Sequence, residues 1–139
     1  MTQQNWLWVG IGGGLGALAR DALSLLGQYH RFPLNFFVIN VSGSFLIGIV
    51  MALSAELGIL EDHWRLFWGV GFLGGFTTFS TFMLGAHRLW SVTPALSLAY
   101  LLATLFLGLM GAYLGLISTR QWVNMRLSRH EPEEMEQED

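Results

Sequence analysis

The sequence predicts an all-α membrane protein with four transmembrane helices, and three observations carry that prediction. Four stretches are long and apolar enough to cross a bilayer, charge is scarce between them, and every tryptophan falls near the end of a stretch. Of 139 residues, 53 % are hydrophobic and 12 % charged, where a soluble domain carries about a quarter charged. Mean hydropathy is +0.47. Buried helices of a soluble protein would keep polar faces, and these segments have almost none.

A crossing helix needs about 20 mostly apolar residues. The candidates are 6–26 (Trp6–Leu26), 33–57 (Pro33–Leu57), 66–90 (Leu66–Trp90) and 94–119 (Pro94–Thr119), giving a transmembrane domain over 1–122. The charged remainder, 123–139, reads as a disordered solvated tail. Short polar breaks separate the spans: Gly27 to Arg31, Gly58 to Arg65, and Ser91-Val92-Thr93. Pro33 and Pro94 suit a first helical turn, where a missing N–H has no partner anyway. Trp6, Trp8, Trp64, Trp68, Trp90 and Trp122 form the interfacial aromatic belt. A secretory signal is the rival reading of the first span, but it lacks a basic leader and a small-residue cleavage site.

All seven basic residues are arginine, and six of the ten acids lie in the last nine positions. No basic stripe for nucleic acid exists. With no cysteine, thiol chemistry and cysteine metal sites are excluded. His30, His63, His87 and His130 are scattered near predicted helix ends, and no nucleophile, base and acid form a visible catalytic pattern, so the chain reads as a non-enzyme. No acid sits at mid-membrane, which argues against a carboxylate proton relay. Four spans place both termini on one side with Arg65, Arg120, Arg126 and Arg129; Arg31 and Arg88 lie opposite, with Arg20 within reach. So small a positive-inside bias is compatible with one fixed orientation or with insertion either way up.

Lipid gives helices no hydrophobic reason to associate, so small residues mark close contacts. Gly10/Gly14, Gly12/Gly16, Ser44/Gly48, Gly71/Gly75, Gly108/Ala112 and Gly111/Gly115 all have that spacing, and a homo-oligomer is a reasonable inference. The run Gly12-Gly13-Gly14-Leu15-Gly16-Ala17 fits a loose dinucleotide pattern, but it lies in a span and position 37, where an acid is needed, is Phe37. It is packing glycine.

Polar groups at bilayer depth concentrate in spans two and three. Asn40 and Ser44 share a helix face; the amide reads either as an interhelical hydrogen bond or as a pore contact. Span three runs Gly74-Gly75-Phe76-Thr77-Thr78-Phe79-Ser80-Thr81-Phe82, where glycines and backbone-competing hydroxyls predict a helix broken mid-membrane. Such a break survives only where it is buried in protein or lines a cavity. It would free carbonyl oxygens suited to Na⁺. Phe79 and Phe82, three apart, share a face.

Three segments then resemble a known family, the Fluc (CrcB-type) fluoride channels: Gly71 to Phe82 with its TTFSTF string, Asn40 to Gly48, and the glycine-rich start ending at Arg20. The resemblance covers spans one to three in register, and span four mainly by length and hydrophobicity. It implies an antiparallel, dual-topology homodimer in the cell inner membrane, with two fluoride pores at its interface. By that resemblance Asn40 is the pore asparagine, Phe79 and Phe82 face the ion, and Ser80 and Thr81 join a polar track. Tyr100 and Thr104 are candidate pore groups from span four. The carbonyls of Gly74 and Thr77, from both subunits, would hold a central structural Na⁺. Arg20 reads as a structural or vestibule residue, since a deep arginine would bind fluoride too tightly for fast exit. Fluoride needs donors to replace its water, which Asn, Ser and Thr supply and phenylalanine edges assist. Two departures stand out: Asn35-Phe36 where the family usually has Gly-Thr, and Gly85 where it commonly has glutamate.

The function implied is passive fluoride export, since HF enters, dissociates and leaves F⁻ trapped. A small-multidrug-type transporter is the alternative; it depends on a membrane-embedded glutamate, and neither Glu56, near a span end, nor Asp21, beside Arg20, is central. A non-transporting assembly subunit is the third reading, in which Asn40 and the TTFSTF residues would tolerate substitution.

Overall fold

The computed structural model describes residues 3–25 and 32–135, with side chains for 5–25 and 32–128. The predicted loop 27–31 with His30 and Arg31, the side chains of Arg129 and His130, and residues 136–139 lie outside that description. Among the described residues every regular element is helical. We label them α1 (Gln3–Leu25), α2 (Leu34–Glu56, π-wound over Ala52–Glu56), α3 (62–76, π-wound over Leu66–Leu73), α4 (Phe79–Trp90) and α5 (Pro94–Met135).

Among the described residues, three segments are long and apolar enough to cross a membrane: Leu34–Glu56, Asp62–Trp90 and Pro94–Ser128. The remaining predicted span falls on α1, a helix of 23 residues. Its polar start and its glycines, with Arg20 and Asp21 near its end, dilute its hydropathy without shortening it. The last helix differs from the expected 94–119 span. It runs for 42 residues and continues through most of the segment read as a tail.

The helix ends follow local chemistry. Pro94 opens α5 and Pro33 stands just before α2. Past the end of α2, Gly58 turns the chain with φ +62°, a conformation glycine adopts without steric cost. There Ile59 N–H and Leu60 N–H both donate to Leu53 O, at 2.9 and 3.0 Å. Asn35 Nδ2 donates to Ser24 O at 2.9 Å, tying the end of α1 to the start of α2. One of the two departures from the family pattern thus caps a helix C-terminus.

Two seams hold the bundle. Along α1 and α3, Gly12 lies against the backbone at Phe67 and Gly71, Gly16 against Phe72, and Gly75 against Gly13. Along α2 and α5, Gly48 meets Ala112 and Gly115 meets Phe45. A Cβ at Gly12, Gly16, Gly48, Gly75 or Gly115 would strike partner backbone. In both seams contacts advance together along the two helices, so α1 runs parallel to α3 and α2 parallel to α5, as an up-and-down chain requires. Most small-xxx-small pairs are therefore used within the chain. Gly10 and Gly14 face open space instead. A smaller apolar core joins α4 to α5 through Phe82, Ala86, Leu89 and Tyr100, and the buried Ser97 hydroxyl donates to Ala86 O at 2.7 Å. Large apolar side chains elsewhere point outward, as with Leu18 and Phe106, and lipid is the solvent that makes this stable.

Candidate functional site

Helical winding stops after Phe76. Thr77 (φ −74°, ψ 153°) and Thr78 (φ −149°, ψ 125°) are extended, and winding resumes at Phe79. Thr77 N–H still closes the last helical turn on Leu73 O, but the backbone groups of the extended Thr78 make no helical bonds and need other partners. Asn40 supplies them from α2. Its Oδ1 accepts Thr78 N–H at 2.9 Å and its Nδ2 donates to Thr78 O at 3.1 Å. One carboxamide thus pairs both backbone groups of a single residue, as a neighbouring strand would. Gly43, one turn further along α2, has no side chain to obstruct this approach: a Cβ there would strike Thr77 Cγ2.

The Thr78 hydroxyl is a local hub. It accepts from Thr81 N–H at 3.4 Å and from Thr81 Oγ1–H at 3.0 Å, and it lies 3.3 Å from Ser80 Oγ. This is an N-cap for α4. On the preceding side, Thr77 N–H and Thr77 Oγ1–H both donate to Leu73 O, at 3.0 and 2.8 Å. Arg20 reaches across from α1, and its Nη1 donates to Gly75 O at 3.0 Å. A cation at the C-terminal end of a helical run is favourably placed.

Beside the interruption lies an open cavity of about 690 Å³ between α2, the two threonines and α5. Its wall includes Asn40, Gly74, Thr77, Phe79, Phe82 and Thr104, so six residues singled out from sequence meet there. Ser44, Thr78 and Gly108 also line it. Of these, Thr78 was part of the motif but had no assigned role; a threonine three residues before another, at a helix start, was the available signal. Ser80, Thr81, Tyr100 and Arg20 are not on the wall. The first two stand behind Thr78, Tyr100 packs behind Phe82, and Arg20 is on the far side at Gly75.

The two phenylalanines differ sharply. Their rings meet edge to face, with centroids 5.8 Å apart, yet Phe79 is 71 % exposed and Phe82 only 3 %. Phe82 contacts Tyr100 at 5.4 Å, and Tyr100 contacts Phe32 at 5.6 Å. Tyr100 is 2 % exposed, and its hydroxyl has no hydrogen-bond partner among the described residues. Beside it stands Gly85, where a Cβ would come 3.2 Å from that oxygen and 3.0 Å from the Pro33 ring. At the second departure from the family pattern, a side chain larger than glycine therefore needs its neighbours to give by a few tenths of an ångström.

Among the described residues no charged side chain lines the cavity, so its polar chemistry is that of neutral groups set in a largely apolar wall. An amide nitrogen has two N–H groups and a hydroxyl one proton. Thr104 Oγ1 spends its proton on Tyr100 O at 2.7 Å, and Thr77 spends its own on Leu73 O. The second Asn40 N–H and the Ser44 hydroxyl remain, with one proton of the Thr78–Ser80 pair. An uncharged groove with polar and phenylalanine walls, set in an apolar helical chain, defines the class: a multi-pass membrane protein.

The particular family follows from comparison. Residues 7–116 match the family model described as CrcB-like protein, Camphor Resistance (CrcB). A fluoride-specific ion channel FluC 1 of Listeria monocytogenes serotype 4b (strain F2365) is 41 % identical over 117 residues, covering 81 % of this chain and 95 % of that protein. Fluoride-specific ion channels FluC of Saccharophagus degradans and Thermosipho melanesiensis are 36 % and 38 % identical over 121 residues. They cover 85 % and 84 % of this chain, and 91 % and 96 % of their own lengths. The chain belongs to the CrcB family. It is a multi-pass membrane protein and not an enzyme.

Proposed function

We propose that this protein is a fluoride-selective channel that lets cytoplasmic fluoride leave passively. One observation carries the reading: the uncharged groove at Thr77–Thr78, where Asn40 is held by the backbone with one N–H left over. A small anion holds its water tightly, so conduction needs replacement donors that do not bind it as a full charge would. Asn40 and Ser44 are such donors, and the Thr78–Ser80 hydroxyl pair can add a third. Phe79 presents a ring whose edge is electropositive, and Phe82 and Tyr100 continue the aromatic series behind it.

The finer architecture belongs to the same proposal. All four predicted spans cross the bilayer, α1 included, with the Thr77–Thr78 interruption at mid-membrane. Two chains pair antiparallel, and the open groove of each is closed by its partner. Exposure of Phe79, with Leu105 and Leu109 exposed on the same wall, supports a second surface there. A structural Na⁺ at the centre fits the donor set: the Thr78 N–H, ordinarily the helical donor to Gly74 O, goes to Asn40, and the Thr81 N–H, ordinarily the donor to Thr77 O, goes to the Thr78 hydroxyl. Gly74 and Thr77 carbonyls are hard oxygen ligands of the kind that suits such a cation. Bound there, Na⁺ would supply fixed positive charge and hold two subunits in register.

The multidrug-transporter reading is weakened, because Glu56 is ion-paired to Arg120. Fluoride efflux from proteoliposomes, followed with a fluoride electrode, tests the channel directly. Efflux that rejects chloride is expected; equal passage of chloride, or no fluoride passage from a folded dimer, would sink it. Labelling each terminus from one side of the membrane tests the pairing, and a mixture of orientations is the expected result.

A further inference from the structure

A second cavity, of about 370 Å³, opens between α2 and α5 toward the C-terminal end of α2, near the ion pair of Glu56 and Arg120. Ile49, Leu53 and Trp122 line it, with Ser118 and Thr119. Both hydroxyls turn back to Gly115 O, at 3.2 and 2.8 Å, so the groove offers apolar surface. Trp122 forms its outer wall, and one turn further Arg126 places its guanidinium 5.1 Å from the centre of the Trp122 ring.

The arginines at this end are not equivalent. Arg65 pairs with Asp62 and Arg120 with Glu56. Among the described residues no carboxylate lies within ion-pair distance of Arg126, which is exposed. A cation with no ion-pair partner among the described residues, stacked on an interfacial tryptophan directly outside an apolar groove inside the apolar run Pro94–Ser128, is complementary to one kind of molecule. We propose that this place binds an anionic phospholipid, one acyl chain lying along Ile49 and Leu53 and the phosphate meeting Arg126. Fixed pairing of Arg120 leaves Arg126 as the charge that distinguishes an anionic headgroup from a zwitterionic one.

The site is tested with the full chain in phosphatidylcholine vesicles doped with tail-brominated phosphatidylglycerol or tail-brominated phosphatidylcholine. Bromine quenches nearby tryptophan, and the difference between the natural chain and Trp122→Phe isolates the Trp122 signal. At equal mole fraction the brominated phosphatidylglycerol is expected to be favoured roughly fivefold, the value of one cation near an anionic headgroup. Arg126→Gln should bring the ratio to unity while Arg126→Lys retains most of it. Should Arg126→Gln fail to fold, raising salt on the natural chain makes the same test, because screening must remove the preference. Equal quenching by the two lipids overturns the proposal, as does a preference that survives both Arg126→Gln and salt. Absence of Trp122 quenching by either lipid also overturns it, since the groove is then covered by protein.

Discussion

The glycine seams and the groove beside Thr78 are built from the same small residues and treat backbone oppositely. In the seams, backbone meets backbone at Gly12, Gly16 and Gly75 between α1 and α3, and at Gly48 and Gly115 between α2 and α5. Apart from the Arg20 guanidinium, which crosses to Gly75 O, and the Glu56–Arg120 pair, the contacts there are backbone packing, and removing a side chain serves to bring helices closer. At the interruption the backbone leaves its helix, Asn40 completes it from another, and Gly74 faces open space. Close packing closes the one region and side-chain chemistry keeps the other open. The seams specify the bundle; the groove is where it can meet an ion.

The largest effect expected is at a seam. Gly16→Val places atoms against Phe72 backbone that no rotamer can move aside, and overpacking of this kind costs about 3 kcal/mol or more. The variant should fail to give a monodisperse peak in detergent. Gly14→Ala, on the same helix with nothing within 4 Å, should purify and melt like the natural protein. Equal behaviour of the two would remove the seam as the source of the bundle's geometry.

Asn40 comes next, because it serves both the backbone and the groove. Asn40→Ala leaves Thr78 N–H and C=O without partners, at a cost of about 1–3 kcal/mol for each group that stays dry. Asn40→Asp keeps an acceptor for Thr78 N–H, loses the donor to Thr78 O and places negative charge on the wall. It should melt between the natural chain and Asn40→Ala, and it should pass no fluoride in the electrode assay. If Asn40→Asp conducts normally, the amide is a backbone brace and nothing more.

The two rings separate stability from conduction more cleanly. Phe82→Ile reshapes the buried contact with Tyr100 and should cost about 1–3 kcal/mol. Phe79→Ile alters an exposed ring and should stay within about 0.5 kcal/mol of the natural protein. Both should abolish efflux without preventing dimer formation. Unchanged efflux in Phe79→Ile would take that ring out of the pathway.

How far these features could be read in advance depends on the range of the interaction. Spans two, three and four are legible because hydrophobicity is a sum over local residues, and α1 is legible as a helix by length but weak by hydropathy because glycine contributes little. The stop at Thr77–Thr78 follows from a local cluster of glycine and hydroxyl residues. What Asn40 does there is not local: its partner lies 38 residues away, and nothing in the spacing says that both amide arms go to one residue. Phe79 and Phe82 share a helix face in sequence, yet differ in burial because α4 begins at Phe79, leaving that ring at an open end. Proton use by Thr104 and Thr77 is likewise invisible until the i−4 carbonyls are in place, and it changes which hydroxyls can serve an anion.

The smallest effect expected is at Gly85, and it tests the closed side of the groove. Tyr100 is buried with its hydroxyl unpaired among the described residues, and Gly85, whose Cβ would lie 3.2 Å from that oxygen, is a place from which a partner could be offered. Gly85→Ala adds only a methyl, 3.0 Å from Pro33 and 3.2 Å from the Tyr100 oxygen, so a few tenths of an ångström of movement must be found. Gly85→Ser requires the same movement and adds an oxygen that can bond to the phenol. The serine variant should therefore melt above the alanine variant by the equivalent of about 1 kcal/mol. If serine is instead the worse of the two, the phenol already has a partner in the folded protein, and Tyr100 is engaged with something other than its own chain.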